Sequence, residues 1–345
     1  MAEGLKDSIL GIGNPLLDIS AEVKEEEFER WGVKPASAIL AEEKHQALYA
    51  QLVKDYPVEY IAGGACQNSI RLAQWMLQAE GGTHYVGCVG KDEFAAQLRT
   101  AAEKDGVRVH YLEDADHPTG TCAVLVHEKE RSLVANLAAA NCYKKAHLDS
   151  DEVQAAVAAV KLVYATGFFL TVSVESLLSL GEHCLKENKP FCFNLSAEFL
   201  IDFFADPMQQ VLPYVDVLFG NESEAAAFGK KQGWGEDLKE VALKTAALPK
   251  KNTARERLVI FTQGKAPALV AYKGVVTEYA VPPVDPATIV DTNGAGDSFV
   301  GGFLAGYVQH KEVPECVRAG NYAASRIIQI SGIKPPSTAP DFTWA

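Results

Sequence analysis

The chain has 345 residues, with 32 Lys and Arg against 45 Asp and Glu, a formal net charge of -13 and 48% hydrophobic residues. An acid excess of this size repels nucleic-acid phosphate and anionic lipid, and its basic residues are scattered among acids, as in Glu128-Lys129-Glu130-Arg131. Neither nucleic acid nor a membrane surface is therefore an expected partner, while the composition is that of a globular chain able to bury a sizeable core.

Taken in chain order, short β-branched or aromatic runs at 8–13, 162–167, 191–195, 215–221 and 258–264 alternate with helical patterns at 68–77, 151–160, 174–188 and 236–247. That rhythm predicts βαβ units around a mainly parallel sheet, an α/β sandwich. Asp149 and Glu152 stand at capping-box spacing before the second of these helices. Two regions break the rhythm. Residues 14–40 lack a strong helix, and 117–140 read as a hairpin, with arms 120–127 and 131–137 around Glu128-Lys129-Glu130. The expected division is a large domain of 1–13, 60–115 and 141–345, and a small β-rich lid of 14–59 and 116–140.

No apolar run reaches the ~18 residues of a membrane span, and Met1-Ala2-Glu3-Gly4-Leu5-Lys6-Asp7 lacks the pattern of a signal peptide. A cytoplasmic protein is expected, with nuclear residence left open. The seven cysteines form an odd set without C-x-x-C, which argues against a disulfide framework or a Cys-based zinc site.

Ligands of open parallel sheets bind outside the carboxyl ends of the strands, and these ends carry Gly13-Asn14, Thr166-Gly167, Asn194, Asn221 and Thr262-Gln263-Gly264. The sharpest motif is Asp291-Thr292-Asn293-Gly294-Ala295-Gly296-Asp297, ahead of a helical pattern at 298–309. Backbone N–H groups at Gly294, Ala295 and Gly296, backed by the helix dipole, would form an anion hole suited to phosphate. It is no Rossmann fingerprint, since Phe299 takes the sixth position, and no Walker A loop, since no Lys-Ser/Thr follows. A carboxylate beside that hole, Asp297, has a purpose as a general base taking a hydroxyl proton. The dipole is expected to keep its pKa low, which a loose phosphoryl-transfer transition state tolerates.

Asn221-Glu222-Ser223-Glu224 offers an amide and a carboxylate to hydrated Mg2+ near nucleotide phosphates. Asn14 and Asp18, with the glycine turn Gly63-Gly64 and Asn68, could read vicinal hydroxyls, and Leu133, Ala135 and Leu137 with Phe168-Phe169 could flank an aromatic base.

These motifs resemble the ribokinase family of carbohydrate and nucleoside kinases, and over nearly the whole chain they resemble its adenosine-phosphorylating members. The resemblance implies a ribokinase-like three-layer sandwich with a mainly parallel central sheet and a small β-rich lid. It implies transfer of the γ-phosphoryl group of ATP to the 5′-hydroxyl of adenosine, with Mg2+, by a monomer. By carry-over, Asn14, Asp18, Gly64 and Asn68 would hold the ribose, with Gly63 and Asn293 beside them. Leu16, Leu40, Leu133, Ala135, Leu137 and Phe169 would enclose the adenine. Asp297 would be the base, Gly294, Ala295 and Gly296 the anion hole, and Arg131 would reach from the lid toward the phosphates. Asn194, Thr262 and Gly264 would lie along ATP, Asn321 beside its base, and Asn221 and Glu224 would organise Mg2+, Glu224 through water. Cys66 and Asn321 depart from the family's pattern, which has Thr and His there. The family also implies that adenosine closes the lid and excludes water.

Overall fold

The computed structural model describes residues 3–35, 37–128 and 130–345. Met1 and Ala2 of the amino-terminal stretch, Ala36, and Lys129 at the predicted hairpin turn lie outside the described residues. Fourteen strands are described: β1 (Ile9–Ile12), β2 (Leu16–Glu22), β3 (Ala38–Leu40), β4 (Glu59–Gly63), β5 (Thr83–Gly90), β6 (Arg108–Asp114), β7 (Thr121–His127), β8 (Glu130–Asn136), β9 (Leu162–Thr166), β10 (Phe191–Asn194), β11 (Val217–Asn221), β12 (Leu258–Gln263), β13 (Ala266–Tyr272) and β14 (Val275–Tyr279). They build a nine-stranded sheet, in the order β14-β13-β12-β11-β10-β9-β1-β5-β6, and a five-stranded sheet, β3-β8-β7-β2-β4.

The larger sheet is parallel from β6 to β12, with β13 and β14 added as an antiparallel edge. Its strands read as continuous apolar runs because both faces are covered. Leu10, Val163, Ala165, Phe191, Phe193, Leu218 and Val259 belong to one core, while Ile9, Tyr164, Cys192, Val217, Phe219 and Ile260 alternate into the other. Helices Asp151–Ala159 and Val174–Lys186 cover the first face, and helices Ala65–Leu77, Ala295–Tyr307 and Val313–Ile327 the second. The result is the expected three-layer sandwich.

Both sequence excursions enter the smaller sheet. β7 and β8 pair as the predicted hairpin, and residues 14–40 supply β2, β3 and only the six-residue helix Glu26–Trp31. β4 pairs antiparallel with β2, so this sheet runs past residue 59, where the boundary was expected. The capping box at Asp149 and Glu152 does not form. Ser150 occupies the cap position and donates its Oγ to His147 O at 2.7 Å, while Glu152 pairs with His110 at 2.7 Å. β5, β6, β13, β14 and helix Glu93–Lys104, capped by Asp92 accepting from Ala95 N, were not foreseen.

At the sheet edge where β11 and β12 begin, away from their carboxyl ends, lies a polar knot. Arg257, 2% exposed, donates Nε to Val215 O (3.1 Å), Nη1 to Thr245 O (3.0 Å) and Leu248 O (2.8 Å), and Nη2 to Leu212 O (2.7 Å) and Pro249 O (3.2 Å). Asp216 beside it accepts from Phe191 N at 3.0 Å and pairs with Lys250 and with Arg255 at 3.2 Å. One guanidinium thus answers five carbonyls that would otherwise be stranded at the ends of helices and loops.

Candidate active site

The carboxyl ends of the central strands open into a cleft of about 330 Å³, at the lower end of the range for small-molecule sites. The larger sheet contributes Asn14, Thr166, Asn194, Asn221 and Thr262, and the smaller sheet adds Leu16, Asp18, Leu40, Leu133 and Ala135, with Leu137 just beyond β8. The wall from the smaller sheet is mainly apolar, and the floor from the larger sheet is polar.

Two helices aim their starts at this floor. Helix Ala65–Leu77 follows Gly64, whose φ of 94° and whose contact with the Asn14 carbonyl admit no side chain; a Cβ there would sit 2.2 Å from that oxygen. Helix Ala295–Tyr307 follows Gly294 at φ 73°, where a Cβ would meet Ile333 at 2.3 Å. Among the described residues no acceptor takes the N–H of Gly296 or Asp297, while the N–H of Ala295, expected in the anion hole, already donates to Thr292 O at 3.3 Å. Gly294, Gly296 and Asn293 line the cleft. The open amides lie at the positive end of a helix of 13 residues, which suits an anion.

Asp297 stands in the first turn of that helix, and Asn68 Nδ2 donates to its Oδ2 at 3.0 Å. Burial pushes its pKa up to about 7, against the lowering effect of that hydrogen bond. Burial thus works against the low value expected from the dipole. Asp18, 7% exposed, is also raised to about 7 by burial, although Arg131 pulls the other way, and it lies against the bare backbone of Gly63. Asn14 is 6% exposed, yet neither atom of its amide has a partner, and Asn68 Oδ1 is likewise unpartnered. Buried amides in this state call for a polar ligand.

Asn221 caps helix Glu222–Lys231, its Oδ1 accepting from Glu224 N at 2.8 Å, and Glu224 closes the capping box by accepting from Asn221 N at 3.0 Å and Asn221 Nδ2 at 2.9 Å. Burial pushes Glu224 up to about 7. Among the described residues no cation pairs with this buried carboxyl, and such a group facing the cleft is compatible with a divalent ion held through water.

Six expected site residues do not line the cleft: Gly63 backs Asp18, Ala295 follows Gly294, and four sit elsewhere. Arg131 is buried, pairing Nη2 with Asp291 Oδ2 at 2.8 Å and donating Nη1 to Ser20 Oγ at 3.1 Å, so it ties the smaller sheet to the start of the glycine motif. Phe169 is wholly buried, edge-on to Tyr143, and Phe168 lines the cleft in its place. The chain leaves β9 as the 3-10 turn Gly167–Thr171, so the alternation of a strand does not carry to residue 169. Gly264 forms the turn after β12 at φ 55°, and Asn321 is buried within helix Val313–Ile327; neither lines the cleft. Sequence reasoning missed Ser196, which lines the cleft at φ 73° and whose Oγ accepts from Gly167 N at 2.9 Å. It also missed Ile39 and Ile333, which close the apolar side. Strand alternation would have set Ile39 on the face opposite Leu40, so no sequence signal marked it.

The model of the pfkB family carbohydrate kinases matches residues 30–340. Adenosine kinase 2 of Arabidopsis thaliana is 50% identical over 335 residues, covering 97% of each chain. The crystal structure of Anopheles gambiae adenosine kinase in complex with P1,P4-di(adenosine-5) tetraphosphate superposes with a TM-score of 0.93 at 46% identity, over 98% of this chain and 99% of that one. Adenosine kinase from Schistosoma mansoni in complex with adenosine and AMP gives 0.91 at 33% identity, over 98% and 99%.

Proposed function

The chain belongs to the pfkB family of carbohydrate kinases, and we propose a residue-level mechanism by which it phosphorylates adenosine to AMP. It is an ATP-dependent nucleoside kinase. The observation that carries the mechanism is the juxtaposition of the Asp297 carboxyl, held by Asn68, with the acceptor-free amides of Gly296 and Asp297 at the foot of an apolar wall.

The adenine packs against Leu16, Leu40, Leu133, Ala135, Leu137 and Phe168. The ribose hydroxyls meet Asp18 and the unpartnered amides of Asn14 and Asn68. This leaves the 5′-hydroxyl at Asp297, whose carboxylate takes the proton as the oxygen attacks the γ-phosphorus. The amides of Gly294, Gly296 and Asp297, with the dipole behind them, stabilise the charge on the transferring phosphoryl group. Asn194 and Thr262 flank ATP. Mg2+, organised through water by Glu224 and Asn221, would neutralise phosphate charge.

An ADP-release assay across adenosine, inosine, guanosine and ribose tests the reading. Adenosine is expected to give the highest kcat/KM and ribose the lowest, because a free sugar leaves the apolar wall unfilled. Equal turnover of ribose and adenosine would remove the wall's role. We also propose that the smaller sheet closes over bound nucleoside. Adenosine should then reduce the radius of gyration in solution scattering, and an unchanged curve would count against closure.

A further inference from the structure

The chain crosses from the larger sheet to the smaller between β6 and β7, and returns through the 3-10 turn Ala138–Cys142 after β8. Three side chains from these crossings converge outside the catalytic cleft: Asp114, which ends β6, His117 and Cys142. His117 Nδ1 lies 2.9 Å from Asp114 Oδ1 and 3.3 Å from Cys142 Sγ, and the three ligand atoms all lie within 4.8 Å of one another. Ligands held about 2.0–2.3 Å from a tetrahedral zinc ion stand roughly 3.3–3.6 Å apart, so side-chain shifts of about an ångström would bring this set into a coordination sphere.

The carboxylate is already fixed, with Asp114 Oδ1 accepting from Asp116 N at 3.0 Å and His117 N at 2.9 Å. The His117 side chain is 54% exposed, which leaves an approach for the ion and for a water. An acid, a histidine and a cysteine could also make a nucleophile. Here the carboxylate and the thiol approach the same ring nitrogen, so the imidazole cannot relay a proton between its two nitrogens as a catalytic triad requires.

We propose that Asp114, His117 and Cys142 form a site for Zn2+ or a similar borderline-soft divalent cation, with water completing a tetrahedron, and that occupancy ties the two crossings together and restrains the smaller sheet. On binding, the Cys142 thiol releases its proton to solvent, and His117 ligates through Nδ1 with its proton on Nε2. The mixed O, N, S set favours zinc over Mg2+, which prefers six oxygens. With no C-x-x-C spacing, no sequence pattern announces the site. Of the seven free cysteines only Cys142 is partly exposed, so a metal-thiolate signal from the folded chain can be assigned.

The test uses the full nucleotide-free chain and the metals alone. One equivalent of Co2+ should produce thiolate-to-cobalt charge-transfer absorption that Zn2+ displaces. Cys142→Ser and His117→Ala should abolish it while keeping wild-type melting and wild-type turnover with Mg2+ in the absence of Co2+ and Zn2+, and Cys66→Ser, in the cleft, should keep it. Absence of the band, its persistence in Cys142→Ser, or its loss in Cys66→Ser would overturn the site. This arm stands apart from the reaction assigned above. For the restraint, Zn2+ should lower kcat severalfold in the wild type and not in Cys142→Ser; equal inhibition of both would place the effect in the cleft and remove the clamp.

Discussion

Asp297→Asn is expected to lower kcat for adenosine phosphorylation by about a thousandfold while adenosine binding stays within a few fold, because a positioned general base typically contributes 10²–10⁴-fold. Asparagine keeps the shape and can still accept from Asn68, so the loss isolates the proton acceptor. Steady-state ADP release alongside equilibrium nucleoside binding reads both quantities, and near-wild-type kcat would sink the assignment. The pH profile gives a second handle. With Asp297 raised to about 7, the active carboxylate exists above that pH, so kcat/KM should fall as the medium is acidified through 7. Asp18 and Glu224 are pushed up to about 7 as well, which steepens the acid limb, and the variant should retain only their share of it.

The same burial predicts a stability effect of opposite sign. A carboxyl whose folded pKa is raised favours the folded state fully below its ordinary value of 3.8 and loses that contribution as pH climbs to about 7. At pH 8 the ionised group opposes folding by on the order of 2–4 kcal/mol. Asp297→Asn should therefore melt higher than wild type at pH 8, with the gain shrinking toward pH 4. A site that destabilises its own fold is what function at a buried carboxylate implies.

Arg257→Met is expected to be among the most destabilising single changes, costing about 3–5 kcal/mol, since it strands five buried carbonyls at once. A lysine there has three donors for five acceptors and lacks the planar fork, so Arg257→Lys should fall between methionine and wild type. Thermal unfolding should show Tm drops of roughly 4–7 °C for the methionine variant. The surviving folded enzyme should keep its kcat, because the knot lies at the sheet edge opposite the cleft. A shift under a degree would mean that water replaces the guanidinium.

The sandwich was readable because its strands are buried on both faces and so appear as unbroken apolar runs. The hairpin β7–β8 was readable for its alternation. The knot was not, since Arg257 ends the charged run Arg255-Glu256-Arg257, which reads as a solvated turn, and its five acceptors come from segments 8 to 45 residues away. Within the site, Asn14, Asp18, Asn68, Gly294 and Asp297 converge as expected. The errors share a cause: they required knowing where the chain bends. Phe168 replaces Phe169 because a strand became a 3-10 turn, and Arg131 turns to Asp291 because two sheets meet there. The Asp297 pKa depended on enclosure, which no local spacing encodes.

The cleft's two linings come from different sheets, and this divides what variation can reach. Exchanges along β3 and β8 reshape the wall facing the base without touching the carboxylate or the open amides. Changes near Gly294 alter the transfer step and spare the wall. A lineage, or a designer, could therefore vary which base the wall accepts by rebuilding the smaller sheet, while Asn14 and Asn68 keep the ribose and the phosphoryl chemistry is inherited intact.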